Sequence, residues 1–209
     1  MNVSHLTDGT PVAIVDDFAF ERRAEIVKLA IDSSTRTRSA GSNNVGGWKS
    51  ADTFLSWPYP CLGELARAVQ ARASLPDVAD AFGDLQRKLV AQNAKFADWR
   101  DNRSLVGWAM VNGKGNYHKW HKHGAHYLVG VYYADPGDPP GPTMFASTVK
   151  APRDYAGSAA DQREATIGSD RWLVPAVAGR LVFFPGATWH RVPPYLGETP
   201  RVTVAFEIR

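Results

Sequence analysis

A single cysteine, Cys61, stands among the 209 residues, so the chain can close no intramolecular disulfide, and a reducing compartment is its simplest setting. No apolar run approaches the roughly 20 residues needed to cross a bilayer. The opening stretch, MNVSHLTDGTPVAIVDDF, lacks the basic-then-apolar order of a secretory signal, which makes the cytoplasm the expected location. Charge of one sign is not in excess either, with 24 Lys and Arg against 21 Asp and Glu. The basic residues are scattered: in ERRAEIVK and LQRKLVAQNAK they mix with acids or recur at helical spacing. That distribution reads as solvated helix surface, with no clear nucleic-acid signature, and leaves room for a small anionic ligand. What remains is an ordinary globular composition, 44% apolar and 22% charged. The length fits a single domain, 1–209, able to bury a core unaided.

Two kinds of pattern divide the chain. Residues 1–102 read as a mainly helical N-terminal support. A short β-type run, PVAIVDDF (11–18), precedes FERRAEIVKLAIDSS, whose apolar residues recur at helical spacing. Further helices are expected over CLGELARAVQARA and AFGDLQRKLVAQNAKFADW, and residues 33–47, rich in Ser, Asn and Gly, form a loop. From 103 to 209 short apolar or alternating runs follow one another between Gly and Pro: SLVGWAMV, HYLVGVYYA, TMFAS, RWLVPAV, GRLVFFP and RVTVAFEI. Strands without intervening helices argue for an antiparallel sandwich or barrel. PGDPPGPT (136–143) is a connection, and residues 150–170 form a long polar one whose role the sequence leaves open.

Histidine is concentrated in one place. Four of the six lie within HKWHKHGAH, as His118, His121, His123 and His126, and a fifth, His190, ends GRLVFFPGATWH. Residues two apart on an extended strand point to the same face, so His121 and His123 can present both imidazoles together. His190, from a different strand, can complete a facial set of three metal ligands. Imidazole suits iron, zinc, copper and nickel, so ligand type alone does not select the metal. His118 and His126 are expected to lie outside the ligand set.

Eleven residues past His190 comes Arg201, in PRVTVAFEI. Strand alternation puts Arg201, Thr203 and Ala205 on one side and Val202, Val204 and Phe206 on the other. An inward guanidinium without an anionic partner costs several kcal/mol. A dicarboxylate co-substrate would supply that partner, with Arg201 offering a bidentate fork and Thr203 a hydroxyl. Tyr132 and Tyr133 follow the histidine pair, and one of them is expected in the core.

In order along the chain, GGWKSADTFLSW (46–57), GWAMVN (107–112), GNYHKWHKHGAH (115–126), LVGVYY (128–133), GPTMF (141–145), GRLVFFPGATWH (179–190) and RVTVAF (201–206) resemble a group of bacterial and phage 2OG-Fe(II) oxygenases. The series spans about three-quarters of the chain. The resemblance implies an α+β, mainly β protein: a double-stranded β-helix, a cupin-like jelly roll, under an N-terminal helical layer. It implies an oxygenase using Fe(II) held by His121, His123 and His190, with 2-oxoglutarate and molecular oxygen. Arg201, Thr203 and Tyr133 would bind the co-substrate. Succinate would be released as an unactivated C–H bond of a primary substrate is attacked, as in a hydroxylase. Trp120, Trp189 and Phe184 are expected to line or support the pocket.

The wider superfamily places a carboxylate two residues after the first histidine. Here, as in this group, that position is a histidine, so the third ligand is either His123 or water, and the site is one negative charge short. An aspartate in place of His123 is therefore expected to be tolerated. Three other readings stand beside this one: a cupin that does not use 2-oxoglutarate, a three-histidine zinc hydrolase, and a binding jelly roll with vestigial histidines. The cupin spacing is present, but its glutamate is missing from AHYLVG. The primary substrate is unreadable, and the sequence leaves a homodimer open.

Overall fold

A computed structural model describes residues 2–6, 9–16, 18, 20–40, 43–83, 104–124, 128–146 and 172–208. The strands are β1 (Asn2–His5), β2 (Pro11–Val15), β3 (Asn44–Val45), β4 (Trp48–Lys49), β5 (Leu105–Asn112), β6 (Tyr117–His121), β7 (Leu128–Asp135), β8 (Thr143–Phe145), β9 (Trp172–Val174), β10 (Leu181–Pro185), β11 (His190–Val192) and β12 (Arg201–Ile208). Among the described residues, two long helices, α1 (Arg23–Arg36) and α2 (Pro60–Ala73), lie between β2 and β5. Of the predicted third helix, 81–83 are helical and the remainder falls outside the described residues, as does the connection 150–170.

The strands form two sheets, ordered β1-β2-β10-β7-β12-β5-β4 and β3-β6-β11-β8-β9. From β5 onward the chain passes back and forth between the sheets, and only the β8–β9 step stays within one. Every strand pairing is antiparallel, apart from an isolated bridge between Thr53 and Gly107. This is the double-stranded β-helix, an open jelly roll extended at its edges by strands from the N-terminal half. β1, β3 and β4 are additions that the sequence patterns did not reveal; β3, and the end of α1 at Arg36, fall within the stretch 33–47 expected as a loop.

The large sheet is buried on both faces, which is why LVFF and VTVAF read as nearly continuous apolar runs. Leu181 and Phe183 of β10, Tyr132 of β7, and Val202, Val204, Phe206 and Ile208 of β12 pack with Ile26 and Ala30 of α1 and Leu62, Leu65 and Val69 of α2. The intervening residues, Val182, Phe184, Val129, Val131, Tyr133 and Ala205, turn the other way. They meet Phe145 and Val174 of the small sheet in a second core. Proline at the first position of α2 suits a helix start, since its missing N–H would have no intrahelical partner there. Arg22 ties the helices by pairing with Glu64 at 2.7 Å and with Glu25 at 2.6 Å.

Gly130 lies where this packing is tightest. A Cβ there would run into the Phe206 ring and sit 2.8 Å from the Val182 carbonyl oxygen. Gly130→Ala should therefore destabilise the fold by about 1–3 kcal/mol, the usual range for overpacking. The denaturant midpoint in urea measures it, and an unchanged midpoint would contradict the packing.

Candidate metal centre

Three elements deliver the imidazoles. His121 is the last residue of β6 and stands directly across from His190, the first of β11. His123 lies two residues beyond the end of β6 and is held by its backbone N–H donating to the Gly186 carbonyl at 2.7 Å. The strand thus stops two residues short of His123, and a loop carries the second histidine of the HxH pair. One nitrogen from each of the three rings lies within 4.8 Å of the others. The ring centroids are 4.1 Å apart for His121 and His190, and 5.2 Å for His123 with either.

The hydrogen bonds on the far side of each ring decide which nitrogen is available. His121 Nδ1 lies 2.8 Å from the Lys119 carbonyl oxygen, and His190 Nδ1 lies 2.9 Å from that of Thr188. His123 Nδ1 lies 2.7 Å from a carboxylate oxygen of Glu207. Each oxygen accepts, so each Nδ1 carries the proton and donates it. That leaves Nε2 as the nitrogen available to a metal in all three rings, the arrangement that orients metal-binding histidines. Burial, reinforced by the neighbouring imidazoles, holds His190 well below its ordinary pKa and pushes His121 down to about 3. Both are neutral at ordinary pH, as metal binding requires.

His118 is also at the site, for a reason period-two counting misses. His121 pairs with His190 and His118 with Val192, so three steps along β6 match two along β11. A bulge with one extra residue turns His118 to the side of His121, and the rings stack at 4.1 Å. His118 is buried and held neutral mainly by that burial, yet it is outside the group of three. His126 falls outside the described residues. Of the three aromatics singled out, Phe184 packs edge-on to His190 at 4.7 Å, whereas Trp120 and Trp189 belong to a separate cluster with Met144 and Ala146.

Arg201 opens β12 and lines the same cavity as the histidines, with only 1% of its surface exposed. Its Nε donates to the Gly141 carbonyl at 3.0 Å, and its guanidinium carbon sits 5.5 Å from the centre of the Tyr133 ring. Among the described residues its Nη1 has no hydrogen-bond partner, and neither does Thr203 Oγ1 on the same face of the strand. Burial lowers the guanidinium pKa, but arginine keeps its proton. The cavity is thus lined by a buried cation with hydrogen-bonding capacity in reserve, which fits a carboxylate-bearing ligand, while Thr203 is fully buried beside it on the strand and is not among the lining residues. Tyr133 donates its hydroxyl to Thr143 Oγ1 at 2.6 Å within the inner core, while Tyr132 faces the helices.

One residue escaped the sequence reading. Glu207 follows Ala205 in the same alternation as Arg201 and Thr203, so the interior face of RVTVAFEI ends on a carboxylate. The signal was in the period-two pattern, two positions past where it was followed.

Comparison with known proteins agrees with this geometry. Residues 107–207 match the model of a family described as "Putative 2OG-Fe(II) oxygenase". No curated protein matches the chain in sequence. Solved structures share its fold at low identity. A Pseudomonas putida prolyl-4-hydroxylase is 14% identical with a TM-score of 0.58, over 95% of this chain and 91% of that one. HygX from Streptomyces hygroscopicus, solved with nickel and 2-oxoglutarate bound, is 14% identical with a TM-score of 0.56, over 96% and 83%. A Trichoplax adhaerens prolyl hydroxylase in complex with a hypoxia-inducible-factor peptide is 12% identical with a TM-score of 0.58, over 94% and 82%. The matched stretch, residues 107–207, takes in the strands that bring the imidazoles and the arginine together, and over that stretch the chain is similar to the 2OG-Fe(II) oxygenases.

Proposed function

We propose that the protein is an Fe(II)- and 2-oxoglutarate-dependent hydroxylase, with His121, His123 and His190 holding the metal through Nε2. Arg201 and Thr203 bind the remote carboxylate of 2-oxoglutarate, with the Tyr133 ring beside the guanidinium. When bound, iron with 2-oxoglutarate and oxygen supplies the oxidising power for the balanced reaction in which 2-oxoglutarate, O2 and R–H give succinate, CO2 and R–OH. The chain's own residues fix the imidazole tautomers, keep His121 and His190 neutral, and exclude water through the Phe184 and Val131 walls. They also anchor the co-substrate by a charge-assisted pair. The single cysteine supports a reducing setting such as the cytoplasm.

One observation carries this reading: Arg201, buried with an unsatisfied Nη1, opens into the cavity that holds the three imidazoles. A zinc hydrolase or a cupin without 2-oxoglutarate would have no use for that cation. Protein reconstituted with Fe(II) should convert 2-oxoglutarate to succinate in the presence of oxygen, with Zn(II) failing to support turnover. Succinate at background levels from protein fully loaded with Fe(II) would refute the assignment.

A further inference from the structure

The three-histidine site raises an electrostatic question. In the usual triad of two histidines and a carboxylate, one ligand is an anion. Here all three ligands are neutral rings, and a divalent cation would enter a buried site with no charge opposing it. Glu207 is the nearest described answer. Its carboxylate lies 2.7 Å from His123 Nδ1, with side-chain exposures of 9% for Glu207 and 11% for His123. β12 pairs with β5 on one side and β7 on the other, with Glu207 opposite Val106 and Val129, so the carboxylate sits on an interior strand of the large sheet.

From this we infer that Glu207 is the anion of the metal centre, acting through His123 in place of a directly bound carboxylate. The inference rests on the reading of His123 as a ligand. An imidazole that donates Nδ1–H to a carboxylate is a stronger donor at Nε2 and is fixed in tautomer and orientation. Charge reaches the metal one ring removed. The family position after the first histidine can then be a neutral residue, because the opposing charge comes from the far end of β12. Glu207 is a positioning residue and touches neither substrate nor metal.

Glu207 also changes the expectation for His123→Asp. An aspartate at 123 would bring a second anion towards Glu207, and the two would repel. The effect of Glu207→Gln should therefore reverse sign with the residue at 123.

The test is anaerobic titration of the full chain with Co(II) alone, followed by its d–d absorption. Glu207→Gln keeps shape and hydrogen-bonding capacity but removes the charge, and should weaken Co(II) binding by roughly 10–100-fold. In the His123→Asp background the same substitution should strengthen binding. In the iron-loaded protein Glu207→Gln should also raise the Fe(III)/Fe(II) potential, because the more highly charged ferric state loses more stabilisation. Unchanged affinity and potential in Glu207→Gln, with wild-type protein binding Co(II) normally, would overturn the inference and leave the proposed activity standing. Weakening by Glu207→Gln in both backgrounds would also overturn it, by showing a merely structural role. Wild-type protein that binds no Co(II) would instead sink the metal site itself, and the inference with it.

Discussion

His190→Ala should abolish stoichiometric binding of Fe(II) or Co(II) while leaving the protein folded. Outer-shell partners of a metal site are worth roughly 10–100-fold in affinity, and removing a donor atom should exceed that. In the proposed centre His190 supplies the nitrogen from the opposite strand, across from His121, so without it the remaining pair cannot form a facial set. The ring fits against Phe184 and Phe145, and alanine would leave a gap there. Stability should therefore fall moderately, by about 1–3 kcal/mol. Metal content after anaerobic reconstitution and desalting, with a urea midpoint alongside, separates lost binding from lost fold. Folded His190→Ala protein that retains one iron per chain would remove His190 from the site.

The second large effect belongs to Arg201. Arg201→Met should weaken 2-oxoglutarate binding by roughly 10²–10³-fold, from the 3–5 kcal/mol that breaking a buried charge pair costs. Metal binding should persist, because Arg201 sits at the other end of β12 from Glu207 and bonds to Gly141, not to a histidine. The same substitution should stabilise the protein without co-substrate. A buried guanidinium with an idle Nη1 opposes folding until an anion arrives, and an apolar side chain of similar volume removes that cost. Arg201→Lys should not rescue affinity fully, since an ammonium lacks the planar fork that matches a carboxylate. Calorimetric titration of 2-oxoglutarate into metal-loaded variants reads the first effect and thermal unfolding the second. Wild-type affinity in Arg201→Met would exclude the arginine as the carboxylate anchor.

Much of the β-helix was legible because its strands are short, apolar and separated by Gly and Pro. The runs that became β5, β7, β8, β9, β10 and β12 all stand out in the sequence, and so do α1 and α2. Period-two reasoning was correct for β12, where Ala205 meets the inner core and Val202, Val204 and Phe206 meet the helices. It was weaker at the histidines. β6 carries a bulge that brings His118 beside His121, and the strand ends before His123; neither follows from spacing alone. β1, β3 and β4 are edge strands of two to four residues, too short to leave a periodic signal. Strand alternation places Glu207 on the inner face of β12, but its partner lies 84 residues away, and only the fold brings the two together.

A crystal grown anaerobically with Fe(II) and 2-oxoglutarate tests the centre most directly. The iron should be bonded to Nε2 of His121, His123 and His190 together, with the remote carboxylate of 2-oxoglutarate on the Arg201 guanidinium. Iron held by two of these rings while His123 turns away, or a co-substrate carboxylate remote from Arg201, would contradict it.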